Sequence, residues 1–185
     1  MIYLLRHGLD DESYVGGYSD VKLTSEGIKQ IKETTHKLKC LGIKKIYTSD
    51  VQRAIDTSNY VNDILNVQIQ IDQNLRELDK GVLNGKLKSL LTEEELINLN
   101  TKDITEKIGN GESMLDLYKR VRKLLIDGYF EDKDSTLIVT HRGFINMLYF
   151  LLRDVELSIN KNLFDVTHGS VHELDIKNKK IKKLF

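Results

Sequence analysis

Apolar residues follow two different spacings along this chain. Short continuous runs, such as residues 2–5 and 137–139, are typical of buried strands. Other segments carry an apolar residue at every third or fourth position, and the clearest of them runs from Met114 to Leu125. That spacing places the apolar side chains on one face of an amphipathic helix. The two spacings alternate along the chain, which predicts alternating strands and helices.

The boundaries of these elements follow from capping residues and glycines. Helices are predicted to begin at Thr24, Ser49, Thr92 and Ser113, where three of the four are followed three residues later by Gln, Glu or Asp. The predicted strands are 2–5, 45–48, 67–71, 136–140, 171–176 and 181–185. The predicted helices are 24–41, 49–66, a short one after residue 92, one from residue 113, and 143–152. Such alternation predicts a three-layer α/β/α sandwich with a mostly parallel central sheet.

Length and charge limit the class of protein. The 185 residues are enough for one domain, predicted to span residues 1–185. Lys and Arg number 28, as do Asp and Glu, and this balance argues against nucleic acid as a partner. We expect no membrane span and no signal peptide, and therefore a cytoplasmic protein. The single cysteine, Cys40, is expected to be a small core residue.

Two of the predicted strands end in the same combination of residues. The first runs into Arg6-His7-Gly8, and the fourth into His141-Arg142-Gly143. Ligands of parallel sheets bind at the carboxyl ends of the strands. If the two strands are neighbours, both imidazoles lie in one cationic pocket.

Two further strand ends contribute charged groups to the same edge. Arg53 falls on the first turn of the helix after the second strand, where free backbone N–H groups and a guanidinium suit a phosphate group. Glu77 follows the third strand. Four strand ends therefore bring a set of five chemically active residues to one side of the sheet: Arg6, His7, Arg53, Glu77 and His141.

The motifs occur in an order that resembles the histidine phosphatase superfamily, also called the phosphoglycerate mutase-like family. The resemblance covers nearly the whole chain. It rests on Leu5-Arg6-His7-Gly8, Leu23-Thr24-Ser25-Glu26-Gly27, Ser49-Asp50-Val51-Gln52-Arg53-Ala54 with Thr57, Leu75-Arg76-Glu77, Gly111-Glu112-Ser113 and Val139-Thr140-His141-Arg142-Gly143.

The resemblance implies a role for each of the five residues. His7 is the expected nucleophile, which takes a phosphoryl group. Arg6, Arg53 and His141 are expected to hold the phosphate oxygens, and Glu77 to protonate the leaving oxygen and then activate water. These roles agree with the chemistry of phosphoryl transfer, which needs positioning and cationic stabilisation. No metal and no other cofactor is expected.

The chain departs from the usual family pattern beside both histidines. Leu9, Asp10 and Ser13 stand where Glu, Thr and Asn are common, and Arg142 stands where Gly is common. Gly8, Ser13 and Arg142 are added to the expected substrate contacts. Asp10 belongs either to a solvated loop or to substrate selection, and Arg142 contacts either substrate or a surface acid. Two more residues have open roles: His168 as a pocket residue and Asp79 as a second candidate for proton transfer.

The expected function is hydrolysis of a small phosphorylated metabolite through a phosphohistidine. The alternatives are a phosphoglycerate mutase of the same fold and a non-catalytic phospho-ligand binding or regulatory module. Mutases tend to be longer, and residues 79–105 offer little extra cover for the pocket, which favours a phosphatase. Glu77 argues against a pure binding module, and the ligand spacing of a metallohydrolase is absent from the sequence. The sequence leaves open the substrate and the oligomeric state.

Overall fold

A computed structural model describes residues 1–131, 133, 135–160 and 162–185. These residues form a sheet with the strand order β3-β2-β4-β1-β5-β6. The strands are β1 (Ile2–Arg6), β2 (Lys45–Thr48), β3 (Gln68–Ile71), β4 (Thr136–Thr140), β5 (Val171–Asp175) and β6 (Lys180–Lys183). Strands β3, β2, β4 and β1 pair in parallel, whereas β5 pairs antiparallel with both of its neighbours, β1 and β6.

Helices cover both faces of this sheet. They are α1 (Ser25–Leu38), α2 (Gln52–Leu65), α3 (Glu93–Leu99), α4 (Met114–Ile126) and α5 (Arg142–Leu152). Short 3₁₀ turns lie at Lys39–Leu41, Gln73–Leu75, Gly81–Leu83 and Lys88–Leu90. None of the helices in the described ranges is long and apolar enough to cross a membrane.

Successive side chains of each central strand point to opposite layers. Leu4 and Ile138 pack into the core beneath α4 and α5, whereas Leu5 and Val139 pack into a second core with α1 and α2. All four side chains are fully buried. The predicted three-layer sandwich with a mainly parallel sheet is therefore confirmed.

The pairing of β1 with β4 brings the two histidine motifs together. Arg6 lies opposite Thr140 in the parallel register, and the backbone N–H of His7 donates to the Thr140 carbonyl at 3.0 Å. His7 and His141 therefore leave adjacent strands at the same edge. Strand β2, which leads to Arg53, lies on the other side of β4.

Three of the four predicted caps are confirmed. Thr24 caps α1, and Thr92 with Glu95 and Ser113 with Asp116 form complete capping boxes. The predicted cap at Ser49 is wrong, because α2 begins at Gln52 after Val51 and has no side-chain cap. The Ser49 hydroxyl instead accepts from the Val51 N–H at 3.3 Å and contacts His141.

The core position predicted for Cys40 is also wrong. Helix α1 ends at Leu38, and Cys40 lies in the 3₁₀ turn that follows, with its side chain exposed. Because the number of residues per turn changes from 3.6 to 3.0, the last side chains point in other directions than in an α-helix. The apolar face of α1 therefore does not continue through this turn.

Candidate active site

A polar cavity of about 210 Å³ opens at the carboxyl edge of the parallel strands. Its walls include four of the five residues predicted for the site, namely Arg6, His7, Arg53 and Glu77. His141 is fully buried, and its ring lies 5.1 Å from that of His7. Residues 79–105 provide more cover than predicted, because Lys80, Leu99 and Asn100 also line the cavity.

His7 is held in one tautomer by its own loop. Its Nδ1 lies 2.8 Å from the carbonyl oxygen of Gly8, which can only accept, so Nδ1 carries the proton. The Nε2 lone pair is left, and it accepts a hydrogen bond from Arg53 Nε at 3.1 Å. Burial and the neighbouring Arg53, His141 and Arg6 hold the pKa of His7 well below 6.5. The imidazole is therefore neutral at pH 7, with a lone pair on Nε2.

Arg53 is the central cation of the cluster, and its side chain is only 2% exposed. Its position on the first turn of α2 directs the guanidinium between the ends of β1 and β4. Nη1 donates to Ser19 Oγ at 3.1 Å, and Nη2 donates to the Gly17 carbonyl at 2.8 Å and to His141 Nδ1 at 3.2 Å. These bonds fix a planar donor group beside the nucleophile, which suits phosphate oxygens.

His141 is joined to both Arg53 and Ser49. Since the guanidinium can only donate, Nδ1 of His141 accepts, and its Nε2–H then points to Ser49 Oγ at 2.9 Å. Burial, followed by the charge of Arg53, keeps the pKa of His141 well below 6.5. A hydroxyl can donate as well as accept, so Ser49 is able to support either tautomer of His141.

Arg6 is the last residue of β1 and directly precedes His7. Its Nη1 donates to the Val166 carbonyl at 2.8 Å, and its Nη2 lies 2.5 Å from His168 Nε2. Burial and, after it, the charge of Arg142 lower the pKa of Arg6 to about 10. The guanidinium therefore remains charged at neutral pH.

Glu77 is clamped by two backbone amides. Oε1 accepts from the Leu78 N–H at 2.9 Å, and Oε2 accepts from the Gly143 N–H at 3.1 Å. Burial raises the pKa of Glu77, but the two N–H donors and the charges of Arg53 and Lys80 outweigh it and lower the pKa overall. Gly143 is needed for this fit, because a Cβ there would lie 2.0 Å from Glu77 Oε1.

The structure brings Asp10 and His168 to the cavity as well. Asp10 lies 3.4 Å from Arg53 Nε and 3.6 Å from His168 Nε2, and the ring of His168 lies 5.4 Å from that of His7. Burial acts to raise the pKa of Asp10, but the His168 and Arg53 contacts lower it overall. Sequence patterning alone did not decide these roles, because the two residues lie on distant loops.

His7, Asp10 and His168 offer ligand atoms within 4.8 Å of one another. They fit a divalent cation poorly, because Arg53 Nε lies 3.1 Å from His7 Nε2 and Arg6 Nη2 lies 2.5 Å from His168 Nε2. Two guanidiniums beside the ligand atoms would repel a metal ion. The arrangement is suited to an anion.

Three of the other residues considered from the sequence lie elsewhere. The amide of Gly8 donates to Thr57 Oγ1 at 3.1 Å, and a Cβ on Gly8 would lie 2.7 Å from Ile31 Cγ1. Ser13 is exposed and its hydroxyl donates to Asp11, so a phosphate contact would require the loop to move. The Asp79 carboxylate accepts from the Gly81 N–H and from Asn84, which stabilises a turn.

Arg142 is the last residue of the predicted set, and the structure places it at the cavity. It lies on the cavity wall, at the first position of α5, and its side chain is half-buried. Gly143, which follows it, is the glycine on which the Glu77 clamp depends.

Known proteins share this sequence pattern and this fold. A curated relative from Enterobacter sp. (strain 638), named "Probable phosphoglycerate mutase GpmB", is 37% identical over 135 residues, which cover 68% of this chain and 61% of the relative. The chain thus spans about three fifths of that protein's length.

Among solved structures, YhfR of Bacillus stearothermophilus has a TM-score of 0.81 at 23% identity, with 99% of this chain and 94% of that chain covered. A mycobacterial glucosyl-3-phosphoglycerate phosphatase has a TM-score of 0.74 at 21% identity, with 98% and 95% covered. A family model described as "Histidine phosphatase superfamily (branch 1)" matches residues 2–184. The chain therefore belongs to branch 1 of the histidine phosphatase superfamily.

Proposed function

We propose that this protein hydrolyses the phosphomonoester of a small metabolite through a phosphohistidine formed on His7. The observation that carries the proposal is the state of that imidazole. Its Nδ1–H is held by the Gly8 carbonyl, and its Nε2 lone pair faces Arg53 in a cationic cavity. A neutral imidazole with a fixed lone pair is a suitable nucleophile near pH 7.

In the first step the substrate phosphate takes over the hydrogen bond that Arg53 now makes to His7 Nε2. Nε2 then attacks phosphorus, the P–O ester bond breaks, and Glu77 gives its proton to the leaving oxygen. Arg6 and Arg53 stabilise the charge on the equatorial oxygens. His141 joins them when its Nδ1 carries the proton and the Ser49 hydroxyl donates to its Nε2.

In the second step water cleaves the P–N bond. The carboxylate of Glu77 removes a proton from that water, and the oxygen attacks phosphorus to release phosphate and restore His7. Glu77 therefore needs its proton only while substrate is bound. The dianionic phosphate lying near the carboxylate raises the pKa of Glu77 and opposes the two amides that lower it.

The position of Glu77 supports catalysis over simple binding. A protein that only binds phosphate gains nothing from a carboxylate at the cavity wall, because the carboxylate repels the ligand. A mutase would use the same first step and then return the phosphoryl group to a second acceptor. The curated relatives bear a mutase name, so the two reactions must be separated by experiment.

We propose that residues 1–185 act as one domain, without a metal or other cofactor, on a small phosphorylated substrate. Nucleic acid is not an expected partner, and a cytoplasmic location remains a prediction.

Labelling of the protein tests the phosphoenzyme. A reaction with ³²P-labelled substrate, quenched in alkali, should leave acid-labile label on the wild type and none on His7→Ala. His36→Ala is the matched control, because His36 is an exposed histidine on α1. Label that persists in His7→Ala would overturn the assignment.

Product analysis separates phosphatase from mutase. With 3-phosphoglycerate and a catalytic amount of 2,3-bisphosphoglycerate, we expect inorganic phosphate to be the phosphorus-containing product. Rapid formation of 2-phosphoglycerate that depends on the bisphosphate would establish the mutase. A chelator should leave the rate unchanged, and vanadate should compete with substrate.

A further inference from the structure

Arg142 occupies the junction between the phosphate cavity and a smaller one beside it. The second cavity has a volume of about 60 Å³, and Glu77, Lys80 and Arg142 line both. Its lining also includes the apolar side chains of Leu117, Met147 and Phe150. A substrate whose phosphate lies against His7 would therefore extend past Glu77 toward Arg142.

The surroundings of the Arg142 guanidinium differ from those of most other arginines. Within the described ranges, no carboxylate or carbonyl oxygen pairs with it. Most other arginines of the chain are bound: Arg76 to Asp50, Arg120 to Glu112 and Arg153 to the Ile181 carbonyl. A half-buried cation is normally paired, so one left open at a cavity wall is available to a ligand.

A neighbouring charge raises the free-energy cost of the partly buried Arg142 guanidinium. The charge of Arg142 is the largest influence on Arg6 after burial, and it lowers the pKa of Arg6. The charges of Glu77, Asp10 and Glu12 raise the pKa of Arg6 and offset only part of the lowering by burial and Arg142. An anion bound to Arg142 would remove that cost in the complex.

The position of Glu77 shows which part of the substrate this anion belongs to. Glu77 is the proposed proton donor to the leaving oxygen, and it lies in the wall shared by the two cavities. A phosphoryl group in transfer to His7 would lie on the His7 side of Glu77, whereas Arg142 and Lys80 line the side cavity as well as the phosphate cavity. A group that meets Arg142 from within the side cavity is therefore part of the alcohol that leaves.

We propose that Arg142 binds a second anionic group, a carboxylate or a second phosphate, carried by the leaving group of the substrate. The inference rests on the proposed phosphatase function and narrows its substrates to acid-bearing phosphomonoesters.

Two matched pairs of substrates test the proposal. 3-Phosphoglycerate and glycerol 3-phosphate differ only by a carboxylate in place of a CH₂OH group. Propane-1,3-diyl bisphosphate and 3-hydroxypropyl phosphate differ by one phosphate. Charged hydrogen bonds of this kind correspond to roughly a 10- to 100-fold preference. We expect kcat/KM to favour the acidic member of at least one pair by about that factor, and the pair that responds identifies carboxylate or phosphate.

The variant Arg142→Gln should reduce this preference by about tenfold or more. Arg122→Gln is the matched control, since Arg122 is an exposed arginine of α4 away from the cavity, and it should keep the full preference. A wild type without preference in either pair would overturn the proposal. So would an Arg142→Gln variant that loses activity equally on both members of each pair, because Arg142 would then act only on the shared phosphate.

Binding provides a readout that does not need turnover. Calorimetry with the His7→Ala variant should give a Kd for 3-phosphoglycerate or for the bisphosphate at least about tenfold below that of its counterpart without the second acidic group. Equal Kd values in both pairs would contradict the proposed second anion site. The phosphatase function would instead be contradicted if the wild type released phosphate from none of the esters, p-nitrophenyl phosphate included.

Discussion

The floor and the rim of the cavity are built on different principles. The floor is the buried set of His7, Arg53 and His141, in which Arg53 is hydrogen-bonded to both histidines. The rim consists of Asp10, Lys80 and Arg142, which are more exposed and lie beyond the strand ends. The floor presents a fixed set of donors to a phosphate group, whereas the rim offers charges of both signs to the remainder of the substrate. Changes in the floor should therefore alter the chemistry, and changes in the rim the choice of ligand.

The largest effect is expected at Glu77, which stands between floor and rim. Glu77→Gln should lower kcat on alkyl phosphates by about 10²–10⁴-fold, the usual contribution of a general acid–base group. The loss should be much smaller for p-nitrophenyl phosphate, whose leaving group needs little protonation. Single-turnover rates on the two substrates check this, and equal losses would exclude the leaving-group role.

Part of that loss has a structural cause. The clamp offers two N–H donors, and a glutamine amide presents only one oxygen to them. The NH₂ group would then face a donor, so some destabilisation is expected. Thermal unfolding of the variant separates this cost from the catalytic one.

The second effect concerns the stability of the floor in acid. His7 and His141 have folded pKa values well below 6.5, and burial lowers the pKa of His172 to about 4. The unfolded chain binds these protons first, so stability is complete above pH 6.5 and declines as the pH falls below it. Protonation of each of these histidines in the unfolded chain should lower the free energy of unfolding by about 1.4 kcal/mol between pH 7.5 and pH 5.5.

Urea denaturation at the two pH values measures this decline. His172 lies outside the cavity and is bonded to Tyr149 and Ser170, so His172→Gln should remove about a third of the histidine contribution. An unfolding free energy that stays constant between pH 7.5 and 5.5 would show that the floor histidines are not neutral in the folded protein.

The third effect tests the fit between Gly143 and Glu77. Gly143→Ala places a methyl group 2.0 Å from Oε1 and should displace the carboxylate. We expect kcat to fall by about 10²-fold, as for other small misplacements of a catalytic group. The inhibition constant of vanadate should change little, because the floor is untouched. An active variant with normal kcat would mean that Glu77 is not required in its present position.

The fourth effect concerns Ser49, whose hydroxyl contacts Nε2 of His141 in the floor. Ser49→Ala leaves Nε2 of the buried His141 without its partner and should lower kcat/KM by about tenfold. Ser58→Ala is a matched control, since that buried hydroxyl donates to the Ala54 carbonyl within α2. If the two variants lose the same activity, Ser49 contributes only to the stability of the fold.

The smallest effect is expected at Asp10 of the rim. Its carboxylate lies 3.4 Å from Arg53 Nε and competes with phosphate oxygens for the same cation. Asp10→Asn should therefore lower the inhibition constant of inorganic phosphate by about three- to tenfold. Asp11→Asn, which removes an exposed charge bonded to Ser13, should change it less. Weaker phosphate binding in Asp10→Asn would show that Asp10 positions Arg53 instead.

The difference between floor and rim also explains which features could be predicted from the sequence. The apolar runs and their parallel order were enough to bring Arg6, His7, Arg53 and Glu77 to one edge, because strand ends of a parallel sheet share a side. Local rules also gave the caps at Thr24, Thr92 and Ser113, where residues three positions apart interact.

The features that the sequence did not predict depend on contacts between distant segments. Asp10 meets His168 across loops that have no periodic pattern, and the hydroxyl of Ser49 is taken by His141, 92 residues away, where a helix cap was expected. The rim could not be derived from residue spacing, since the path of a loop depends on what it packs against.

The pairing of β1 with β4 has a consequence for how the protein acquires activity. It joins residues 2–6 to residues 136–140, so the chain must close a very long loop before His7 meets His141. Contacts of such sequence separation form slowly and late in folding. A partly folded chain can hold helices and local turns but no phosphate floor, and catalytic competence should therefore appear together with completion of the central sheet.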